Sequence, residues 1–348
     1  MASHGVRRYK PVEKTPEQQA QELQKIEDYK SLERSVSEKV TGHDYSAETL
    51  KKISDLLSRN PEYYTIWNYR RRVIRHQFEA ESTNGTNAQL IKNDLMFLVP
   101  LLRSFPKCYW IWNYRLWLLD EARRLLSLSE SRQLWQEELF LVGKMLTLDS
   151  RNFHGWGYRR LVVETLRQLG TPDEATKMTQ QEFDYAKKMI GDNLSNFSAW
   201  HYRTKLIQRL LDEQAASDEE RKKMLEDELD LIHQALIDPY DQSLWFYHQN
   251  LMCVFDPAVA DRTMAPNLNT SERLQYLEKE IEAITEMLDG AEDCKYIYQA
   301  LIECSLLASK VSGTLSSNDR ERILGWLSQL KQLDPLRQNR WLDFERTL

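Results

Sequence analysis

The chain reads as an all-α protein, an alpha-alpha superhelix of about seven helical hairpins, and three observations lead there. The first is a recurring signature: Trp67-Asn68-Tyr69-Arg70, Trp112-Asn113-Tyr114-Arg115, Trp156-Gly157-Tyr158-Arg159, Trp200-His201-Tyr202-Arg203 and the degenerate Trp245-Phe246-Tyr247-His248, with weaker copies at Tyr296-Ile297-Tyr298 and Trp341. The second is its spacing. Anchors at 67, 112, 156, 200, 245, 296 and 341 stand 45, 44, 44, 45, 51 and 45 residues apart, and a fixed period of this size marks stacked supersecondary units, each sharing its core with its neighbours. The third is that no segment alternates with a period of two, and 11 glycines in 348 residues are few for sheets with tight turns.

Residues 1–16 are polar and basic, and Pro11 and Pro16 disfavour helix there, so a mobile arm is expected ahead of one helical-repeat domain, 17–348. Over 17–39, Leu23, Ile26, Leu32 and Val36 are spaced for one buried stripe, on a helix that caps the first repeat. Each later period should hold an outer helix, a turn and an inner helix bearing the anchor. Seven positions before the anchors stand Asn60, Phe105, Asp149, Asn193, Asp238, Asp289 and Asp334, six of them capping types, and Pro61, Pro106, Pro239 and Pro335 follow four of these. Read as an N-cap and first helical residue, they put each anchor about two turns into its helix. Leu134, Trp135, Leu139, Val142, Met145 and Leu146 mark one outer helix, ending before Asp149. On the next helix Trp156 and Val163 share one face while Tyr158, Leu161 and Val162 occupy another, so it is buried on two sides. Polar loops are expected at 79–87, 167–177, 212–221 and 309–320, and an insertion at 256–270, with Pro257 and Pro266, explains the stretched interval before the sixth hairpin.

With 47 basic and 53 acidic residues the formal charge is −6, which offers no general electrostatic reason to bind nucleic acid or an anionic membrane. No run approaches the roughly 20 apolar residues of a membrane span, so no stable membrane insertion is expected. The first residues lack the apolar core of a secretory signal. Cys108, Cys253, Cys294 and Cys304 show no C-x-x-C spacing. Together these features suit the cytoplasm, where thiols stay reduced.

Aromatic residues at helical spacing ordinarily pack helix pairs, and the repeated arginines suit carbonyls or acids on the adjacent hairpin. The seven histidines lack ligand spacing, and no phosphate loop, nucleophile triad or catalytic carboxylate pair can be assembled from sequence neighbours. One slot differs. Five positions before the anchors stand Glu62, Lys107, Arg151, Ser195, Tyr240, Ala291 and Leu336, basic only in the second and third hairpins. A cation in a first helical turn opposes the helix dipole by about 0.3–1 kcal/mol, and an anionic ligand would reverse that sign. Lys107 and Arg151 beside helix N–H groups therefore compose a candidate diphosphate site, against the plainer reading of a solvated lysine.

The run Pro106-Lys107-Cys108-Tyr109-Trp110-Ile111-Trp112-Asn113-Tyr114-Arg115, with Asn152-Phe153-His154-Gly155-Trp156 and Asn196-Phe197-Ser198-Ala199-Trp200-His201-Tyr202-Arg203, resembles the alpha subunits of protein prenyltransferases over nearly the whole chain. The stretch from Asp238-Pro239-Tyr240 to Trp245-Phe246-Tyr247-His248, and the start His4-Gly5-Val6-Arg7-Arg8, look more like the type II, Rab geranylgeranyl branch than the subunit shared by farnesyltransferase and the type I enzyme. The resemblance implies a crescent of hairpins around a beta subunit that holds zinc and most of the geranylgeranyl diphosphate site, and activity only in that heterodimer. Its reaction is transfer of geranylgeranyl to carboxy-terminal cysteines of Rab GTPases presented by a Rab escort protein. Magnesium is a second candidate ion. Lys107 is the implied catalytic contact to the diphosphate, with Tyr109, Arg151 and His154 as substrate-binding neighbours. His4 matches an amino-terminal histidine that can fold back onto the beta-subunit zinc, displaced here by Ala2 and Ser3. Trp110 stands where farnesyltransferase-type subunits carry a Gln for the peptide carboxylate, which implies that short peptides are poor substrates. A short form is expected, without immunoglobulin-like or leucine-rich domains and without a prenylation box of its own. Two alternatives stay open on sequence: the subunit shared by farnesyltransferase and the type I enzyme, and a non-catalytic helical-repeat scaffold.

Overall fold

The described residues, 14–80 and 84–348 of this computed structural model, form helices joined by turns, with no strand among them. Pro16 does not belong to an arm: it is the first residue of α1 (Pro16–Thr41), where its missing N–H leaves nothing unpaired, and Thr15 closes a capping box with Gln18. Pro11, His4 and the rest of the expected arm up to residue 13 lie outside the described residues. Hairpins follow, each an outer then an inner helix. They are α2 (Ala47–Arg59) with α3 (Tyr64–Ala80), α4 (Asn84–Ser104) with α5 (Tyr109–Leu125), α6 (Leu128–Leu148) with α7 (Phe153–Gln168), α8 (Pro172–Asp192) with α9 (Phe197–Glu213), α10 (Asp218–Ala235) with α11 (Gln242–Met252), α12 (Thr270–Glu286) with α13 (Lys295–Ser312), and α14 (Ser317–Leu333) with α15 (Gln338–Glu345). The insertion before the sixth hairpin appears as 3-10 turns, Cys253–Phe255 and Ala260–Arg262. The loops expected at 79–87, 167–177, 212–221 and 309–320 are all shorter, because α4 starts at Asn84, α8 at Pro172, α10 at Asp218 and α14 at Ser317.

Two compact units, Met1–Thr171 and Pro172–Leu348, divide the series. In the first, α5 packs against both α3 and α7; in the second, α11 packs against α9 and α13. Inner helices are buried on two sides, as Trp156, Tyr158, Val162 and Val163 show on α7, although Leu161 stays exposed. On α1 the expected stripe is only partly buried: Val36 is covered, while Leu23 and Ile26 are exposed. No helix among the described residues is long and apolar enough to cross a membrane.

The helix register differs from the capping pattern in the sequence. Asn60, Asp149 and Asp334 are C-caps of the outer helices α2, α6 and α14, not N-caps of inner ones. Inner helices start later, behind Cys108, Asn152, Asn196, Asp241 or Cys294. Each anchor is the fourth residue, one turn in rather than two. The indole is the reason. Trp67, Trp112, Trp156, Trp200 and Trp245 donate Nε1–H to the carbonyls of Pro61, Pro106, Ser150, Leu194 and Pro239, at 2.6–2.9 Å. These residues must turn their carbonyls back toward the helix and so cannot belong to it. The same contact corrects the sixth anchor: Tyr298, not Tyr296, reaches back six residues, donating to the Glu292 carbonyl at 2.9 Å. Trp341, the fourth residue of α15, closes the last core with Tyr298, Ile302, Ile323, Leu327 and Leu330.

Successive hairpins are joined by buried carboxylates that the outer helices supply. Asp94 accepts from Arg70 of the preceding hairpin and, at 2.6 Å, from Tyr114 of its own. Glu138 takes Arg115 through two bonds, of 2.6 and 2.7 Å, and Tyr158 at 2.9 Å. Glu228 does the same with Arg203 and Tyr247. At Glu280 the arginine is replaced by His248, and Oε2 accepts from His248 and His233, each at 3.0 Å. Burial pushes the Glu280 carboxyl up, but the hydrogen bonds from His233 and His248 outweigh it and hold it at about 2. The bond to Glu280 in turn raises His233.

Two outcomes follow for stability. Glu138→Ala leaves Arg115 and Tyr158 buried with their shared acceptor gone, and should cost about 3–5 kcal/mol, read as a lower urea midpoint. Arg115→Met combined with Glu138→Leu should cost less, because no charge is stranded; an equal or larger loss would contradict the clamp. For Glu280, a carboxyl held at about 2 instead of its usual 4.5 contributes roughly 3 kcal/mol. That contribution is complete above pH 4.5 and lost as pH falls toward 2. His233 works the other way: its share is present below its ordinary 6.5 and lost as pH rises through the raised value. Glu280→Gln should melt well below the wild type at about pH 6 and approach it at about pH 3; parallel melting curves would refute the assignment.

Candidate functional site

Lys107 is not in a first helical turn, as its slot suggests, but in the turn ahead of α5. The Pro106 carbonyl is committed to Trp112 and to Asn152 Nδ2, each at 2.9 Å, so the chain enters the helix only after Cys108. Cys108 supplies no side-chain cap, and its Sγ–H reaches the Pro61 carbonyl at 3.3 Å. Burial, with Glu62 nearby, pushes its thiol up to about 11, which makes it a packing residue and not a nucleophile. Asn152 caps α7 through Gly155 N–H at 3.1 Å. A side chain at Gly155 would meet Leu146 Cδ2 at 3.0 Å, so glycine is what lets α7 start this close to α6.

These turns bring three of the expected residues to one end of adjoining inner helices. Tyr109, the first residue of α5, is half-exposed, with its ring centroid 6.2 Å from that of His154 on α7. Lys107, one-third exposed, extends Nζ to 3.5 Å from Asp149 Oδ2 at the end of α6. Arg151 is exposed in the turn before α7. The aromatic surface continues on both sides: Phe153 stands edge-on to His154 with centroids 5.8 Å apart, and Trp110 stacks on Tyr64 at 5.4 Å. Sequence reasoning passed over Asp149 as an electrostatic partner, treating it as a cap; its regular place in the period was the available signal. Tyr64 could have been found as the counterpart of Tyr109 one period earlier. Among the described residues no group of three or more His, Cys, Asp or Glu side chains could hold a metal ion.

Four stretches, 46–77, 91–122, 135–166 and 179–210, match the protein prenyltransferase alpha subunit repeat, and each falls on one of the first four hairpins. Over nearly its full length the chain is 34% identical to a geranylgeranyl transferase type-2 subunit alpha of Schizosaccharomyces pombe, covering 97% of this chain and 96% of that one. The chain belongs to the geranylgeranyl transferase type-2 alpha subunits. A Dictyostelium discoideum subunit of the same name is 32% identical, with 98% and 99% covered. Among solved structures, Candida albicans protein geranylgeranyltransferase-I complexed with GGPP is similar at a TM-score of 0.64, with 92% of this chain and 90% of that one covered. At 20% identity that likeness carries the fold alone. Membership of the alpha-subunit family makes this chain one subunit of a prenyl-transferring enzyme, and the later hairpins, where the signature decays to Tyr247-His248 and Tyr298, are those the repeat does not match.

The Lys107–Asp149 pair is partly solvated, and pairs of that kind contribute about 0–1 kcal/mol. Lys107→Ala should therefore shift the urea midpoint by less than the equivalent of about 1 kcal/mol. A larger loss would make Lys107 a structural residue.

Proposed function

We propose that this chain serves a beta subunit in transferring geranylgeranyl from geranylgeranyl diphosphate to carboxy-terminal cysteines of Rab GTPases presented by an escort protein. The full-length similarity to type-2 alpha subunits carries the reading. In this reading Lys107 meets the departing diphosphate, with Tyr109, His154 and Arg151 around it. Asp149 is a weak competitor: at 3.5 Å it offers a single charge, whereas a diphosphate brings several, so the ammonium exchanges one partner for the other on binding. Zinc, assigned to the beta subunit, would supply the acceptor cysteine as a thiolate when bound. Magnesium would share the diphosphate charge with Lys107. Trp110, stacked on Tyr64, has no side-chain amide for a peptide carboxylate, which favours an acceptor held by its escort over a free peptide.

As the thiolate attacks C1 of the isoprenoid, the C1–O bond breaks and negative charge grows on the leaving diphosphate. An ammonium placed there binds the transition state better than the ground state. Lys107→Ala in the heterodimer should slow single-turnover transfer by about 100-fold, or about 2.7 kcal/mol, and weaken geranylgeranyl diphosphate binding much less. Equal losses would reduce Lys107 to a ground-state contact; no loss in either would remove it from the site.

A further inference from the structure

We propose that Arg71 and Asn113 are positioning residues that fix the Tyr109 hydroxyl as a hydrogen-bond donor to the diphosphate. The inference rests on the functional reading above and extends it to Arg71 on α3, outside the repeat signature, and to Asn113 on α5, the variable position within it. Arg71 Nη2 donates to Asn113 Oδ1 at 2.7 Å, and Arg71 Nη1 donates to Asn68 Oδ1 at 2.6 Å. The guanidinium also lies over the Tyr114 and Trp117 rings, 5.4 and 5.7 Å from their centroids, which holds it in place. A guanidinium only donates, so the oxygen of the Asn113 amide must face Arg71 and its nitrogen must face the other way. That nitrogen, one helical turn on from Tyr109, donates to Tyr109 Oη at 3.5 Å.

The consequence lies in the proton of Tyr109. A phenol oxygen that receives an N–H keeps its own O–H for another acceptor, and among the described residues no side chain or carbonyl takes it. Tyr109 is half-exposed beside His154 and two residues from Lys107, so the acceptor that suits this hydroxyl is an anionic oxygen bound there. Without the relay the phenol could instead accept from water and present a lone pair, which repels a diphosphate. Arg71 polarises the amide and so strengthens the whole chain of donors. The arrangement is confined to the first two inner helices: one position after the anchor stand Asn68, Asn113, Gly157, His201 and Phe246, and four positions after it Arg71, Leu116, Arg160, Thr204 and Gln249. It occurs beside Lys107, where an anion would sit.

The test is a double-mutant cycle in the heterodimer, reading affinity for inorganic diphosphate and for geranylgeranyl diphosphate. Tyr109→Phe should weaken inorganic diphosphate about tenfold, the effect of one hydrogen bond to a charged group. Asn113→Leu should lose a similar amount, and adding it to Tyr109→Phe should cost nothing further. Arg71→Lys should retain more affinity than Arg71→Met. Losses that multiply in the double variant, or an Asn113→Leu enzyme with unchanged affinity, would overturn the proposal. If Asn113→Leu fails to assemble, Asn113→Gln is put through the same cycle and judged by the same rule. Single-turnover transfer by Lys107→Ala is measured alongside: a loss of rate there with multiplying Tyr109 and Asn113 losses rejects only the relay, whereas no loss of rate or affinity there rejects the diphosphate site itself.

Discussion

A carboxylate buried between two hairpins, holding an arginine from one and a tyrosine from the other, is the contact on which the rest of the molecule depends. Apolar packing alone would let one hairpin slide or rotate on the next, because Leu, Val and Trp surfaces tolerate many offsets. Asp94, Glu138 and Glu228 tolerate none. Each is buried, so its charge must be met in full, and Arg70, Arg115 and Arg203 meet it with Tyr114, Tyr158 and Tyr247 in one geometry. Such a clamp adds little net stability over an apolar replacement, but its half-broken forms are costly. Its value is register. At Glu280 His248 stands in the arginine's place, and the second donor, His233, comes from the same hairpin rather than from a tyrosine of the next inner helix.

The site is a by-product of that register. Within each unit, aligned hairpins repeat the place of the five-before-anchor residue, so a basic residue can stand there without altering the fold. The indole contact sharpens this by pulling the Pro106 carbonyl inward and leaving Lys107 at the edge of the turn, ahead of the helix and with Nζ 3.5 Å from Asp149 Oδ2. The aromatic first residues of α3, α5 and α7, Tyr64, Tyr109 and Phe153, recur for the same reason, and all three are exposed.

Much of the fold was legible in the residues. A fixed period, two-sided inner helices and a Pro-bearing insertion led to the hairpins, their order and the place of the irregular stretch, and the likeness of Lys107, Tyr109 and His154 to a known pattern drew attention to one end of α5 and α7. The error in helix register has a plain origin. Asn, Asp and Pro serve at both ends of helices, so Asn60, Asp149 and Asp334 could be read as N-caps when they are C-caps, and this moved Lys107 into a helix it precedes. Tyr296 and Tyr298, two positions apart, look alike as anchors in the sequence until one of them, Tyr298, finds a carbonyl.

By itself, then, the sequence determined what repeats: the period, the helical class, the family signature and the slots in which basic residues stand, all of which are properties of spacing along one chain. Which partner each group takes was decided by the tertiary structure. Arg115 could have paired with any nearby acid, Lys107 with solvent or Asp149, and Asn113 could have faced either way; those choices depend on distances between residues more than twenty positions apart, which close only when one hairpin is packed on the next.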